Sequence, residues 1–419
     1  MDDTRQHHLA GETGAGRDPG QPHASPKSRR GLDWFVFFVA DVQTGFGPFV
    51  AVYLTDQKWT QTDIGLILTV GGLIALFGQI PGGAVLDAMR SPRMAAGVSV
   101  FVIGISAFML ALWPIFPIVL ISRILQAGAS CVLGPAIAAL SLGLVDRTEI
   151  GERLGRNASF ASIGTGLAAA GMGVTGYAIS NQAVFFVAGA FVCPALIALY
   201  QINVQEIDPD KAHGGAQKQP LNLSVALQLL TNRTLVIFGF CVLLFHLANA
   251  AMLPLVASML TLQSSKSSAA LIAVAMVVPQ LIVAIVSPII GRKSQTWGRR
   301  PLLLIGFAAL AIRGMLFAAL TPSTFIVAVQ ILDGISAAAI GVLVPLTLAD
   351  ITRETGRFNL TQGLIGCAMG IGASISTTLV GLLSDRFSSY VTFLTLGLIA
   401  IIGLLAVWIL MPETRPDRD

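Results

Sequence analysis

The sequence predicts an all-α membrane protein with twelve transmembrane helices in two pseudo-symmetric bundles of six. The chain is 54% hydrophobic and only 11% charged, whereas about a quarter of the residues in a soluble domain are charged. It contains twelve apolar runs near the roughly 20 residues that a helix needs to cross a bilayer. Two loops, one in each half of the chain, share a pattern of glycine, polar and basic residues. Together these observations favour a duplicated polytopic membrane protein.

Short polar loops separate the apolar runs. Only helices fit runs of this length, because backbone groups in lipid must form their hydrogen bonds within the segment. The predicted spans are 33–54, 63–87, 94–113, 117–143, 157–179, 183–203, 234–260, 268–291, 301–320, 323–349, 359–384 and 390–411. The polar stretch 204–232 divides them six and six, and the polar first thirty residues, rich in glycine and proline, are typical of a disordered tail and not of a signal peptide. The predicted organisation is a cytoplasmic tail 1–30, an N-terminal bundle 31–203, a cytoplasmic linker 204–232, a C-terminal bundle 233–411 and a cytoplasmic tail 412–419.

Basic residues in the short loops predict the orientation in the membrane. One side holds the arginines of the tail and of the loops after spans 2, 4, 8 and 10, whereas the other side holds only Lys58, Lys266 and Arg386. We therefore expect both termini in the cytoplasm and the protein in the inner (plasma) membrane, with the lipid bilayer as a partner. The net charge of +4 fits this asymmetry, and no clustered basic and aromatic stretch indicates nucleic acid.

The sequence shows no motif of an enzyme, a cofactor or a metal site. It has no P-loop, no nucleophile motif and no soluble domain large enough for an active site. The four cysteines stand singly in apolar runs, without CxxC pairs or a histidine at metal-ligand spacing. We expect a monomer that is not an enzyme and that uses neither a cofactor nor a metal.

The two related loops each follow a glycine near the end of an apolar run. An offset of 208 residues relates Gly83 to Gly291 and Asp87 to Gln295. Basic residues follow in both loops, at Arg90 and Arg93 in the first and at Arg299 and Arg300 in the second. Offsets of 206 and 207 residues relate further pairs, Gln43 with Asn249 and Gln126 with Asp333. A parallel duplication leaves such a slowly drifting offset.

This arrangement resembles the major facilitator superfamily, whose loop signature has a glycine, an acid four positions later and basic residues beyond it. The resemblance covers about residues 31–411. Arg123, Gln126 and Gly128 resemble the superfamily's helix-4 motif, which is associated with proton coupling in many exporters, and the glycine-rich fifth span is similar to that of drug–proton antiporters. The resemblance implies a secondary active transporter that works by alternating access between two bundles around a midplane site.

Asp41 and Arg123 are the candidate functional residues of the N-terminal half, because an ionisable group inside a membrane costs at least a few kcal/mol. Asp41 lies about 12 Å into the first span at 1.5 Å per residue, and a water could bridge it to Arg123. We expect Asp41 to exchange protons and Arg123 to tune that exchange. A static ion pair that locks the first and fourth helices is the alternative. Polar residues assigned to the same cavity are Gln43, Thr44 and Gln126.

Arg313 and Asp333 are the candidates in spans 9 and 10. Because helix 9 is usually peripheral in the superfamily, a pair that neutralises itself structurally is favoured, although Asp333 aligns with Gln126 and remains a cavity candidate. His246 and Asn249 lie three residues apart on one face of span 7. Because histidine titrates near neutrality, His246 is interpreted either as a packing residue or as a cavity group.

The first related loop predicts a gate. Gly83 allows close approach of a neighbouring helix, and Asp87 can lie at the N-terminus of a facing helix, where negative charge is favoured. We expect that helix to be the eleventh, which begins near Asn359, with Arg153, Arg156 or Arg357 beside it. An acid that merely ends a helix is the alternative. The predicted cytoplasmic gate comprises Gly83, Asp87, Arg90, Arg93, Arg153, Arg156, Gly291, Gln295, Arg299 and Arg357.

The sequence therefore predicts proton-coupled export of a small organic solute, in which Asp41 or Asp333 exchanges protons. Uptake of a small organic anion that pairs with Arg123 or Arg313 is one alternative. A membrane sensor that keeps the fold without transporting a solute is another.

Overall fold

The predicted all-α fold is confirmed by the computed structural model, which describes residues 24–46, 48–89, 91–212, 229, 231–256, 268–319, 323–353 and 357–416. Every regular element within these ranges is a helix. Eleven of the helices are long and apolar enough to cross a membrane, or twelve spans when the bent pair Thr62–Phe77 and Gln79–Ala88 is counted as one. This agrees with the twelve apolar runs of the sequence.

The spans are numbered α1 to α12 along the chain. The first six are α1 (Pro26–Asp56), α2 (Gln61–Phe77 and Gln79–Ala88), α3 (Pro92–Leu112), α4 (Phe116–Leu144), α5 (Ile150–Ala178) and α6 (Asn181–Tyr200). Two short helical segments, Val204–Glu206 and Pro209–Ala212, follow α6. The last six spans are α7 (Arg233–Val256), α8 (Ser268–Trp297), α9 (Arg299–Ala319), α10 (Ser323–Ile351), α11 (Phe358–Arg386) and α12 (Ser389–Leu410).

The start of α1 differs from the predicted boundary. The hydroxyl of Ser25 accepts a hydrogen bond from the backbone N–H of Ser28 at 3.2 Å, and Pro26 occupies the first position of the helix. Both features favour a helix start at this point, so residues 26–30, which were predicted to belong to the tail, are helical. Residues 1–23 and 213–228 of the predicted tail and linker lie outside the described residues.

Four spans are interrupted in the part of the chain that the structure describes. α1 consists of Pro26–Thr44 and Pro48–Asp56, α2 bends by 50° beside Gly78, α6 is broken at Phe191, and α7 is interrupted at residues 250 and 251. An interruption leaves backbone carbonyl groups without their usual partners within the helix. The break in α1 follows Asp41 by one turn, close to the candidate site.

The two halves have equivalent packing. α1 packs against α5 and α2 against α4 in the N-terminal half, as α7 packs against α11 and α8 against α10 in the C-terminal half. The halves meet where α2 contacts α11 and where α5 contacts α8. Arg29 in α1 pairs with Glu149 before α5 at 2.5 Å, and Arg415 after α12 donates to the carbonyl of Thr296 in α8 at 2.6 Å. The chain therefore enters α1 and leaves α12 at the same side of the bundle, called the terminal side below.

Candidate functional site

Asp41 lies in the first segment of α1 and is 2% exposed. Among the described residues, no group forms a hydrogen bond or an ion pair with its carboxylate. The neighbouring polar groups bond within α1, because the hydroxyl of Thr44 donates to the carbonyl of Ala40 at 2.7 Å and the carbonyl of Gln43 accepts from the N–H of Phe46 at 3.1 Å. The carboxylate of Asp41 is thus buried without a compensating charge.

Arg123 in α4 does not pair with Asp41. Its Nη1 donates to the carbonyl of Phe46 at 3.3 Å and to Oε1 of Gln126 at 2.9 Å, and its Nε has no acceptor among the described residues. No described carboxylate lies within ion-pair distance of this guanidinium, although the residue is only 9% exposed. Arg123 therefore binds the interruption of α1, and the alternative of a static ion pair between α1 and α4 is not formed in this structure.

Arg313 and Asp333 form an ion pair inside the C-terminal half. Nη1 of Arg313 lies 2.7 Å from Oδ1 of Asp333 and 2.5 Å from Oδ1 of Asn249, while Nη2 donates to Oε1 of Gln330 at 2.9 Å. Gln330 in turn donates to the carbonyl of Ala275 at 3.1 Å. These bonds join α7, α8, α9 and α10, and the side chain of Arg313 is only 1% exposed.

His246 in α7 packs edge to face against Phe245, with ring centroids 5.5 Å apart. Its Nε2 is buried and has no hydrogen-bond partner among the described residues. Gly372 of α11 lies directly against the Cβ of His246. The structure thus separates His246, which packs on α11, from Asn249, which binds Arg313.

Asp87 binds the beginning of α11. Its carboxylate accepts hydrogen bonds from Nδ2 of Asn359 at 2.7 Å and from the backbone N–H of Leu360 at 2.9 Å. A side chain at Gly83 would collide with the carbonyl of Asn359. The acid therefore lies at a helix N-terminus, where negative charge is favoured, and the glycine allows α2 and α11 to meet at the terminal side.

The second contact between the halves uses equivalent residues. A side chain at Gly291 in α8 would collide with the carbonyl of Gly151 in α5. The offset of 208 residues that relates Gly83 to Gly291 also relates Gly151 to Asn359. Further along the same helices, Ser159 donates to the carbonyl of Ala284 at 2.7 Å, and its equivalent Cys367 donates to that of Leu76 at 3.0 Å.

Arg153 and Arg156 do not accompany Asp87, contrary to the sequence prediction. Both bind Asp33 of α1: Arg153 through a short ion pair and Arg156 at 2.7 Å. Arg153 also donates to Oδ1 of Asn157 at 2.7 Å. The reason is that α5 packs against α1 within the N-terminal half, whereas α2 carries Asp87 to the opposite half.

Arg93 and Arg299 bind groups within their own halves. Arg93 donates to the carbonyls of Leu199 and Tyr200 at the end of α6, each at 3.1 Å. Arg299 pairs with Asp350 of α10 at 2.8 Å. Each of these arginines satisfies charges or carbonyls of its own half, so their assignment to the gate stays a prediction.

Three more predicted gate residues remain. Arg357 is buried directly before α11, and its carbonyl accepts from the hydroxyl of Thr361 at 2.8 Å. Gln295 in α8 lies beside Gly151, because a side chain added at that glycine would lie 3.0 Å from Nε2 of Gln295. Arg90 lies outside the described residues.

The comparisons with known proteins determine the family. Residues 34–265 and 238–419 match the family model of the Major Facilitator Superfamily. An MFS-type transporter of Mycobacterium tuberculosis is 35% identical over 396 residues, which is 93% of this chain and 94% of that protein. This chain belongs to the major facilitator superfamily.

Two further similarities support less, because one covers only part of the chain and the other has a low sequence identity. The class B tetracycline resistance protein of Escherichia coli is 27% identical over 139 residues, covering 33% of this chain and 34% of that protein. The crystal structure of the Escherichia coli fucose:proton symporter superposes with a TM-score of 0.71 at 14% identity, covering 93% and 98% of the two chains. The second similarity shows the fold alone. The chain is thus a multi-pass membrane transporter, and the prediction that it is not an enzyme is confirmed by its relatives.

Sequence reasoning missed several residues of this superfamily member that make important contacts. Asp33, Gln330 and Asp350 bind the buried arginines, and Gly151 forms half of the second contact between the bundles. The repeat offset is a signal that predicts Gly151, because it relates this residue to Asn359. Nothing in the sequence indicates that Asp33 accompanies Arg153 or that Asp350 accompanies Arg299, since each pair joins different helices.

Proposed function

We propose that this transporter exports a small organic solute across the inner (plasma) membrane in exchange for protons, with both termini in the cytoplasm. The observation that carries the proposal is the buried, unpaired carboxylate of Asp41. Burying an ionised carboxylate without a partner costs several kcal/mol, and taking up a proton removes that cost. Asp333, by contrast, is already held by Arg313.

Arg123 supports this assignment of Asp41. Its guanidinium holds the carbonyl of Phe46, five residues beyond Asp41 on the same helix. Asp41 therefore lies one turn before the interruption of α1 that Arg123 holds. We propose that protonation of Asp41 changes the conformation of α1 at this interruption.

The contacts at the terminal side supply the second element of alternating access. The meeting of Gly83 with Asn359 and of Gly291 with Gly151 holds the two bundles together at that side. Passage of a solute there requires both contacts to separate. We infer that these contacts form the cytoplasmic gate and that the carboxylate of Asp87 stabilises the closed state.

Export is supported by the partial similarity to a tetracycline resistance protein. The similarity spans only about a third of the chain. Tetracycline, after which that protein is named, is a small organic compound. It favours a small organic solute without naming one.

The proposal is tested first by a thermal-shift screen of the purified protein against compound classes at two pH values. For any compound that binds, reconstituted vesicles report solute counterflow and solute-driven proton movement. We expect Asp41→Asn to reduce proton movement at least tenfold while solute counterflow persists. Asp385→Asn, which removes an exposed acid at the end of α11, is the matched control and retains both activities. Full proton movement in Asp41→Asn, or binding without any counterflow in the unaltered protein, contradicts the proposal.

Movement of a small organic anion is a second candidate, favoured by one observation. Arg123 has no described carboxylate partner and a buried Nε without an acceptor, so an anionic group of the solute could pair with it. Under this reading, Arg123→Gln abolishes binding of anionic compounds, and Arg123→Lys weakens it because lysine lacks the planar fork of donors. Equal binding of neutral analogues excludes this candidate.

A further inference from the structure

A groove between α3 and α6 opens on the outer surface of the N-terminal bundle at the terminal side. It has a volume of about 340 Å³, and its lining includes Arg93, Met94, Leu196, Tyr200 and Val204. It lies where α3 begins and α6 ends, so in a membrane it lies at the level of the lipid headgroups. Its lining residues do not belong to the helices that form the contacts between the halves.

Arg93 supplies the only charge among the described residues that line this groove. Its Nε and Nη2 donate to the carbonyls of Leu199 and Tyr200 at 3.1 Å each, and the guanidinium lies 5.5 Å from the centre of the Tyr200 ring. These contacts hold the cation at one position. They leave its charge uncompensated by any described acid in the groove, so the site is complementary to an anion.

The walls of the groove are apolar and open to lipid. Met94 is 58% exposed, Val204 50% and Tyr200 81%. From Met94, a stripe of exposed apolar side chains continues along α3 at spacings of three or four residues, which places them on one face of the helix: Val98, Phe101, Ile105 and Phe108. The groove therefore joins a fixed cation at headgroup level to an apolar track that points into the bilayer.

We propose that this groove binds a phospholipid with an anionic headgroup, with the headgroup on Arg93 and an acyl chain along the exposed stripe of α3. A cation alone attracts any anion, but the continuous apolar track fits an amphiphile and not a soluble anion. Basic pockets between transmembrane helices are known to hold anionic lipid headgroups, and one cation near the surface is worth about 1 kcal/mol. A cap that only satisfies the last carbonyls of α6 is the competing explanation for Arg93.

Native mass spectrometry of protein taken from equimolar phosphatidylglycerol and phosphatidylcholine vesicles tests this proposal. We expect the unaltered protein to retain phosphatidylglycerol preferentially and Arg93→Gln to lose about fivefold of that preference, the factor that corresponds to about 1 kcal/mol. Arg93→Lys keeps the charge and retains most of it. Val204→Trp fills the groove, leaves the end of α6 unchanged, and displaces the lipid although every charge is intact.

Arg292→Gln is the matched control. Arg292 is exposed on α8, also at the terminal side, and its replacement changes the net charge equally without touching the groove. An unchanged preference in folded Arg93→Gln, an equal loss in Arg292→Gln, or full retention of phosphatidylglycerol in Val204→Trp overturns the proposal. If thermal unfolding shows that Arg93→Gln does not fold, the retention of phosphatidylglycerol by Val204→Trp alone tests the proposal.

Discussion

The two halves of this transporter pack their helices in the same way but place their charges differently. In the N-terminal half, Asp41 and Arg123 are both buried and are not paired with each other, whereas Arg313 and Asp333 form an ion pair in the C-terminal half. At the terminal side, Asp87 binds the N-terminus of α11, but its equivalent is the uncharged Gln295. The comparison shows that the duplicated packing is retained while the electrostatics have become specialised.

This specialisation separates two tasks. A carboxylate held by an arginine, an asparagine and a glutamine network is fixed in position, as in the C-terminal half. A carboxylate without a partner responds to a proton, as we propose for Asp41. Neighbouring helices thus hold the side chains of Arg313 and Asp333, whereas no described group holds the carboxylate of Asp41.

The largest expected effect tests the ion pair between Arg313 and Asp333 in the C-terminal half. Arg313→Met leaves the carboxylate of Asp333 without its partner, so we expect the free energy of unfolding to fall by about 3–5 kcal/mol. The double variant with Asp333→Leu removes both charges and recovers most of this loss. Arg123→Met in the other half removes no ion pair and costs less. Denaturant unfolding in detergent measures all three, and an equal loss in Arg123→Met would falsify the contrast between the halves.

The next largest effect is expected at Gly83 and Gly291, which form equivalent contacts between the halves at the terminal side. Gly83→Val and Gly291→Val each force a side chain against a backbone carbonyl of the opposite half, at a cost of about 1–3 kcal/mol. We expect both variants to separate the terminal ends of α2 and α11 and of α5 and α8 to a similar degree. Spin-label distance measurements report this separation.

A glycine with open space around it provides the control for these two variants. Gly173 in α5 has open space where a side chain would be added, so Gly173→Val leaves these distances unchanged. If Gly83→Val alone separates the bundles, the two contacts are not equivalent and the comparison fails.

The smallest effect concerns the charge difference between the two contacts. Asp87→Asn removes the negative charge at the N-terminus of α11, and we expect the ratio of closed to open molecules to fall about fivefold, corresponding to about 1 kcal/mol. Gln295→Met changes no charge and shifts this ratio less than about twofold. The same spin-label distances measure both variants. Equal shifts would show that charge is not what distinguishes the contacts.

Much of the fold was accessible from sequence because it depends on local patterns. The length of each apolar run predicts a span, and the repeated glycine predicts a close helix contact at each copy of the loop. Asp87 was assigned to the start of α11 because an acid at a helix N-terminus is favoured on general grounds. The partners of Arg93, Arg153 and Arg299 were not accessible, because each arginine binds a different helix of its own half.

The sequence by itself determined the family, the number of spans, the duplication and the residues whose burial in a membrane demands an explanation. Only the tertiary structure decided that Arg123 holds the interruption of α1, that Asn249 and Gln330 bind Arg313, and that Arg93 lines a groove on the outer surface. The physical reason is that hydrophobicity and helix periodicity act along the chain. The partner of a buried charge, by contrast, depends on which helices the fold places side by side.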